Sequence, residues 1–460
     1  MASIQERIGR DGSKRYIVKW KNPNGDYRTK GGFQTKKAAE DWAAIEVEPK
    51  RRRGRVVDPC AGKMLFRDAA QAWLESRHDL KATTRRAYAE ALAPTNLHKV
   101  KRHKRLADLR IDAVFGDAQL DFITRAYIST WVARMVEAGK KPSTVRNAYF
   151  LVRQVLAQAV ADGRLDANPA DYVKLPTDHN TGHTRAVDDP AQFLTAAQVA
   201  ALVAASPWPF NVYVHLAAWS GLRAAELAGL QVGDVTLPPV SLNPNAPAKP
   251  GTLRVQRTIA WTEDEPLVVA PKTLGSRRSV PLTPTTTEML RDFLAVHPNA
   301  GTPTAPLFPN VRLRPPRPIG VKLDDAEDVP AQRQACALAN LTPLEAGDRL
   351  LLDWDLPVRH ATFYKAVFRP AVLRAIRLTP AAKLPPSVVW HGLRHTYASL
   401  LIAAGRPPLE VARFMGHAKV TTTLGVYAHL YADDHADAMA ALGAMEAEPD
   451  YGQNVVPLRG

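Results

Sequence analysis

The string HGLRHTY at residues 391–397 gathers two histidines, an arginine and a tyrosine directly before an apolar run, ASLLIAA. His391 and His395 are four apart and share one face if the segment is helical. Three readings fit such a face: a metal site, a clamp for phosphate, or the polar side of an ordinary helix. A zinc protease needs glutamate directly after the first histidine, and Gly392 stands there instead. No obvious third ligand completes a metal site. The phosphate reading recruits residues elsewhere. SGLRAAELAGLQVGDV (220–235) sets Arg223 after a glycine-led turn at a helix start, with Glu226 three residues on to orient it. PKTLGSRRSVPL (271–282) sets Lys272 before a tight turn between two strands. FMGHAKVTTTLGVYAHLY (414–431) gives His417 after a helix-ending Gly416, and Tyr427 ten residues later. Singly, these are a surface ion pair, a solvated lysine, a satisfied histidine and a packed tyrosine. Their ordered combination favours phosphate chemistry.

In that order, Arg223, Lys272, His391-x-x-Arg394, His417 and Tyr427 resemble the active-site set of the tyrosine recombinases, also called the phage integrase family. The flanking strings SGLRAAEL, KTLGSRRSVPL, HGLRHTYAS and MGHAKVTTTLGVY fit it as well. The resemblance covers residues 192–446 and, more loosely, 64–180. It implies that Tyr427 attacks the scissile phosphodiester, leaving a 3′-phosphotyrosyl link and a free 5′-hydroxyl. The covalent link keeps the phosphodiester energy, so rejoining needs no ATP. Arg223 and Arg394 would clamp the nonbridging oxygens with planar, permanently charged forks. Lys272 would reach the minor groove and protonate the leaving 5′-oxygen. His391 would assist proton transfer with Tyr427 as its partner, and His417 would hydrogen-bond a phosphate oxygen. His395 is read as structural support and Tyr397 as packing. Tyr397 and Tyr431 remain rival nucleophiles. The implied activity is site-specific recombination for a phage or other mobile element, with no metal and no cofactor. A type IB topoisomerase and a non-catalytic DNA-binding regulator stay open as alternatives.

The elements that must position these residues suggest a multidomain chain. Residues 1–55 read as a small β-sheet plus helix: RYIVKW (15–20) alternates like a strand, NPNGD turns, Tyr27–Thr29 returns, and a helix follows over 35–48 with Thr35 as N-cap. The resemblance makes this an arm-type DNA-binding domain. Residues 64–180 read as an α-helical core-binding domain with helices at 64–77, 83–94, 124–139 and 141–163. The first turn of the last carries Lys141, Ser143, Thr144 and Arg146, groups suited to DNA phosphates. Arg51, Arg52 and Arg53 in the linker KRRRGR, and Arg277 beside Lys272, are further candidate DNA contacts. Residues 192–446 read as a mixed, mainly α catalytic domain with a small antiparallel sheet, and 447–460 as a C-terminal tail. Its expected helices lie near 209–229, 283–296, 361–376, 392–405, 408–416 and 433–446, with strands at 252–261, 266–270 and 277–282. Lys272 and His391 are 119 positions apart, which points to an insertion or long loop at about 300–355. Met439, Leu442 and Met445 form an apolar stripe that the resemblance places against a neighbouring protomer.

Bulk composition agrees with a polyanionic partner. The 460 residues carry a net charge of +16, and residues 1–55 hold 15 Lys and Arg against 7 Asp and Glu, which is half of that charge. The two cysteines, Cys60 and Cys336, form no metal or disulfide pattern. No secretory signal, membrane-spanning run, P-loop or zincin motif is present. The expected protein is therefore cytoplasmic, with double-stranded DNA attachment sites as its partner. The resemblance adds a homotetramer on that DNA and accessory DNA-bending or directionality factors.

Overall fold

The computed structural model describes residues 2–9, 12–22, 25–49, 58, 60–94, 108–177, 192–240, 249–262, 265–269, 277–314, 330–431 and 439–440. The chain divides into two compact units, Met1–His183 and Thr184–Gly460.

The first unit opens with an antiparallel sheet of three strands, Ser3–Ile8, Lys14–Lys21 and Tyr27–Phe33, with the second in the centre. Alternation along the central strand turns Val18 and Trp20 inward. The Thr35 side chain accepts from the Ala38 N–H and so starts the helix Lys36–Trp42, which continues as a π-helical segment, Ala43–Val47. Ala39, Ala43 and Val47 cover the inward face of the sheet. The first strand escapes sequence reading because SIQERI sits at the sheet edge and buries almost nothing. Among the described residues beyond the sheet and its helix, the unit is mainly helical, with Phe66–Ser76, Ala82–Leu92, Ile111–Phe115, Arg125–Glu137 and Pro142–Ala161. Four were expected; Ile111–Phe115 is too short to show a helical period. These helices share one core that includes Phe66, Trp73, Phe115, Trp131, Val152 and Leu156.

In the second unit, the expected helix at 209–229 is two helices, Phe210–Ser220 and Ala224–Ala228. Gly221 separates them at φ 63°, in the left-handed region that favours glycine. A Cβ on Gly221 would meet the Tyr397 ring at 2.2 Å, so this glycine also admits the tyrosine. The expected strand at 252–261 is likewise two, Thr252–Val255 and Thr258–Thr262. They belong to different sheets: one orders Val235–Thr236, Thr252–Val255 and Arg278–Pro281, and the other pairs Thr258–Thr262 with Glu265–Val269. A third antiparallel pair, Pro309–Leu313 with Leu350–Pro357, makes three small sheets among the described residues of this unit, where one was expected.

That third pair lies in the stretch 300–355, expected to be an insertion or long loop, and its described residues are ordered rather than loop. Besides the two strands, the stretch holds the helices Pro330–Ala339 and Pro343–Asp348, and Leu307, Phe308, Val311 and Leu350 lie in the main core. Short elements separated by prolines hide this order in the sequence. Arg374, on the helix Arg369–Leu378, ties the stretch in place and is 1% exposed. Its guanidinium donates to the carbonyls of Leu341 at 2.7 Å, Ala205 at 2.6 Å and Leu338 at 2.5 Å. A buried cation thus caps two helix C-termini at once. Desolvation lowers its pKa to about 10, which leaves it charged at neutral pH. Arg374→Met would strand three carbonyls at about 1–3 kcal/mol each. We expect a loss of about 3 kcal/mol or more, measured by denaturant unfolding.

Of the expected C-terminal helix at 433–446, only residues 439–440 are described; Met439 is exposed, and Leu442 and Met445 lie outside the described residues.

Candidate active site

The helix Trp390–Ala403 begins on an aromatic anchor. Trp390 is buried, stacked on Tyr213 at 5.1 Å and met edge-on by Phe363 at 5.0 Å and Phe368 at 5.2 Å. Gly392 through Ala398 are all buried, while His391 is exposed.

Arg394 is 4% exposed and donates Nη1 to the Gly221 carbonyl and Nη2 to the Met415 carbonyl at 2.7 Å. Arg223 caps the Ala224–Ala228 helix; its Nη1 meets Glu226 Oε1 at 2.8 Å and its Nη2 meets the Gly416 carbonyl at 3.3 Å. Arg278, on the strand Arg278–Pro281, donates two bonds to Glu226, at 3.2 and 3.0 Å, and Nε to the Phe414 carbonyl at 2.7 Å. Three arginines from three segments therefore hold three consecutive carbonyls, 414 to 416, at the end of the helix Pro408–Met415. Such an end carries partial negative charge and leaves its carbonyls unpaired, which is what draws the guanidiniums together. Gly416 closes the helix at φ 64°, and a Cβ there would meet Arg278 Nη1 at 2.7 Å. The next residue, His417, bonds Thr423 Oγ1 through Nδ1 at 2.7 Å.

Glu226 is the carboxylate that organises this cluster and is 2% exposed. Burial alone would raise its carboxyl, but hydrogen bonds and charge from Arg278, and then from Arg223, hold it below the ordinary carboxylate range. Desolvation, followed by the Arg223 charge, lowers Arg394 to about 9, so it stays protonated near pH 7. Arg223, Arg278, Arg394 and Glu226 together carry a formal charge of +2. Burial and the same arginines keep the nearby imidazoles neutral. His417 falls to about 4, by desolvation first and then by Arg394, Arg223 and Arg278. His391, although exposed at its outer edge, also falls, by desolvation of the ring first and then by the Arg394 and Arg223 charges.

Tyr427 ends the helix Val420–Tyr427 and is 1% exposed. Its hydroxyl is hydrogen-bonded to Nδ1 of His395 at 2.8 Å. This corrects the expected pairing: the imidazole on Tyr427 is that of His395, not His391. The reason is position along the helix rather than rotation about it, since residues four apart share a face. His395 lies further in and is 9% exposed, whereas His391 stands one turn earlier at the surface, with its ring edge-to-face on His395 at 4.9 Å. Phe193 packs beside both His395 and Tyr427, at 6.0 and 6.3 Å. Burial raises the Tyr427 hydroxyl, and the Arg394 charge opposes that rise. The rival tyrosines are placed otherwise. Tyr397 packs against Gly221, and burial pushes its hydroxyl up to about 12. The Tyr431 hydroxyl donates to the Arg406 carbonyl at 3.5 Å.

The structure thus brings together Arg223, His391, Arg394, His417 and Tyr427. Lys272 lies outside the described residues, as do Arg51, Arg52 and Arg53. Arg277 is exposed just before its strand. In the first unit, Lys141, Ser143 and Thr144 are exposed on the first turn of Pro142–Ala161, and Arg146 donates to the Pro176 carbonyl at 3.1 Å. Sequence reasoning missed Arg278, although a signal was present. Alternation puts Arg278 on the face of fully buried Val280, and Arg277 on the face of exposed Ser279.

Comparison with known proteins covers both this site and the wider chain. Residues 359–434, which hold His391, Arg394, His417 and Tyr427, match the model described as the phage integrase family. The prophage phiRv2 integrase of Mycobacterium tuberculosis (strain CDC 1551 / Oshkosh) is 27% identical over 312 residues, 66% of this chain and 72% of that protein. The ICEBs1 integrase of Bacillus subtilis (strain 168) is 21% identical over 336 residues, 72% of this chain and 73% of that one. Among solved structures, the Tn1549 transposon integrase in complex with transposon right end DNA has a TM-score of 0.52 at 17% identity, over 84% of this chain and 99% of that one. At that identity the last likeness speaks for the fold. Among the described residues, no helix is long and apolar enough to cross a membrane.

Proposed function

We infer that this chain, which belongs to the tyrosine recombinase or phage integrase family, breaks and rejoins DNA through Tyr427 under the charge of Arg223 and Arg394. It is a site-specific recombinase of a phage or other mobile element. The observation that carries the residue assignment is convergence. Arg223, Arg394 and His417 meet at one helix end, and the Tyr427 hydroxyl lies within the field of Arg394.

Tyr427 forms the bond to phosphorus, and the 5′-oxygen leaves. Negative charge gathers on the nonbridging oxygens, where Arg223 and Arg394 already stand with their forks held by backbone carbonyls. Preorganised donors of this kind need little rearrangement at the moment of reaction. His391 and His417, both neutral, supply hydrogen bonds to the phosphate, and Lys272 protonates the leaving oxygen. Residues 1–55 would bind arm sites. Residues 64–180 and 192–446 would hold the core site, with the first turn of Pro142–Ala161 on the DNA backbone. The working form would be a homotetramer on attachment-site DNA.

Because fixed guanidiniums take the part a divalent ion would otherwise play, cleavage should persist in EDTA. The test is a covalent adduct on nicked attachment-site DNA, formed in EDTA and resolved on a denaturing gel. An adduct at the rate seen with Mg²⁺ is expected; loss of all cleavage on chelation would count against the assignment. A plasmid relaxation assay beside a two-site recombination assay separates this reading from topoisomerase action.

A further inference from the structure

We propose that His395 is a catalytic residue: it accepts the phenolic proton of Tyr427 as that oxygen bonds to phosphorus, and returns it on rejoining. The proposal rests on Tyr427 being the nucleophile. Its ground is geometric. Of the imidazoles around the site, His395 is the one bonded to the Tyr427 hydroxyl, at 2.8 Å through Nδ1. The pair is enclosed by Phe193 and largely shielded from water.

The charges around His395 favour the neutral imidazole that a base requires. Arg394 is the fixed charge that acts on it from its own helix; the titratable groups around it are the His391 ring, His417 on the neighbouring segment, and Tyr427 through the hydrogen bond. Desolvation leads and lowers its pKa to about 4, with His391 and Arg394 adding to the fall. With the proton on Nε2, Nδ1 is free to accept. In cleavage the Oη–P bond forms and the P–O5′ bond breaks. The Tyr427 proton passes to His395 Nδ1, and the 5′-oxygen takes its proton from Lys272. Rejoining reverses each transfer, so His395 then protonates the departing phenolate. His391, at the surface one turn away, is left to the phosphate.

The test uses the full chain and nicked attachment-site DNA, with single-turnover cleavage rates measured from about pH 6 to pH 9. His395→Asn keeps a hydrogen-bonding group near the place of Nδ1 but cannot take a proton, and His395→Gln is a second variant should the first fold poorly. DNA affinity and melting temperature, measured alongside, should stay close to wild type. Cleavage and rejoining should both slow by about 10²-fold or more, the scale of general-base catalysis. Without the base, the rate should also climb by about tenfold per pH unit, while wild type and His391→Gln stay nearly flat over the same range. A slope confined to His391→Gln, a His395→Asn rate within about threefold of wild type, or a slowed but flat profile would overturn the proposal. If Tyr427→Phe still forms adducts, the nucleophile assignment fails instead, and the two failures are told apart.

Discussion

Arg223→Ala should slow single-turnover cleavage by about 10²–10³-fold, the usual cost of removing one preorganised donor from a developing oxyanion. The side chain of Arg223 is 41% exposed, so little packing is lost with it. Glu226 keeps both of its bonds to Arg278, and Arg394 keeps Gly221 and Met415. The melting temperature should therefore move little, and DNA affinity only modestly, since one phosphate contact among many is removed. Arg223→Lys should recover only part of the rate. An ammonium restores charge but cannot meet a carboxylate, a carbonyl and a phosphate oxygen with one planar fork. Equal losses in stability and cleavage would instead make Arg223 a scaffold residue.

Glu226→Ala should damage both fold and reaction. Arg278 is 7% exposed on its side chain and draws two hydrogen bonds from this carboxylate. Removing one partner of a buried pair strands the other charge, at about 3–5 kcal/mol. Arg394 and Arg223 add like charges nearby, so the cluster would lose its one internal counter-charge. Cleavage should fall at least as far as in Arg223→Ala, because the tether that aims Arg223 is lost too. The folded carboxyl titrates below its ordinary value. Its stabilisation is therefore complete above the usual carboxylate range of about 4 and fades as pH falls through the lowered value. Unfolding curves of wild type and Glu226→Gln should differ most at neutral pH and converge in acid. A gap that widens on acidification would contradict the ion-pair role.

Much of the site was legible because its residues come as ordered local strings. Arg223 after a glycine turn, the H-x-x-R pair on one helix, and His417 after a helix-closing glycine all carry a local reason for their places. Tertiary contacts were not legible in the same way. Helical spacing puts His391 and His395 on one face, and either could meet Tyr427 on that basis. The choice is made by position along the helix: His395 lies one turn further in, against buried Tyr427, whereas His391 is exposed on the first turn. The convergence of three arginines on carbonyls 414–416 joins segments far apart in the chain, which no local pattern records. In the fold, long periodic helices were found near their expected bounds. The order among the described residues of 300–355 was not legible because its strands and helices are short and proline-flanked, and it depends on partners such as Arg374.

The most direct test is to trap the protein on a nicked attachment-site substrate and map the DNA-linked peptide by mass spectrometry. The adduct should lie on the peptide containing Tyr427, and Tyr427→Phe should form none while still binding DNA. An adduct on Tyr397 or Tyr431, or one that survives Tyr427→Phe, would contradict the assignment of Tyr427 as the residue that breaks the strand.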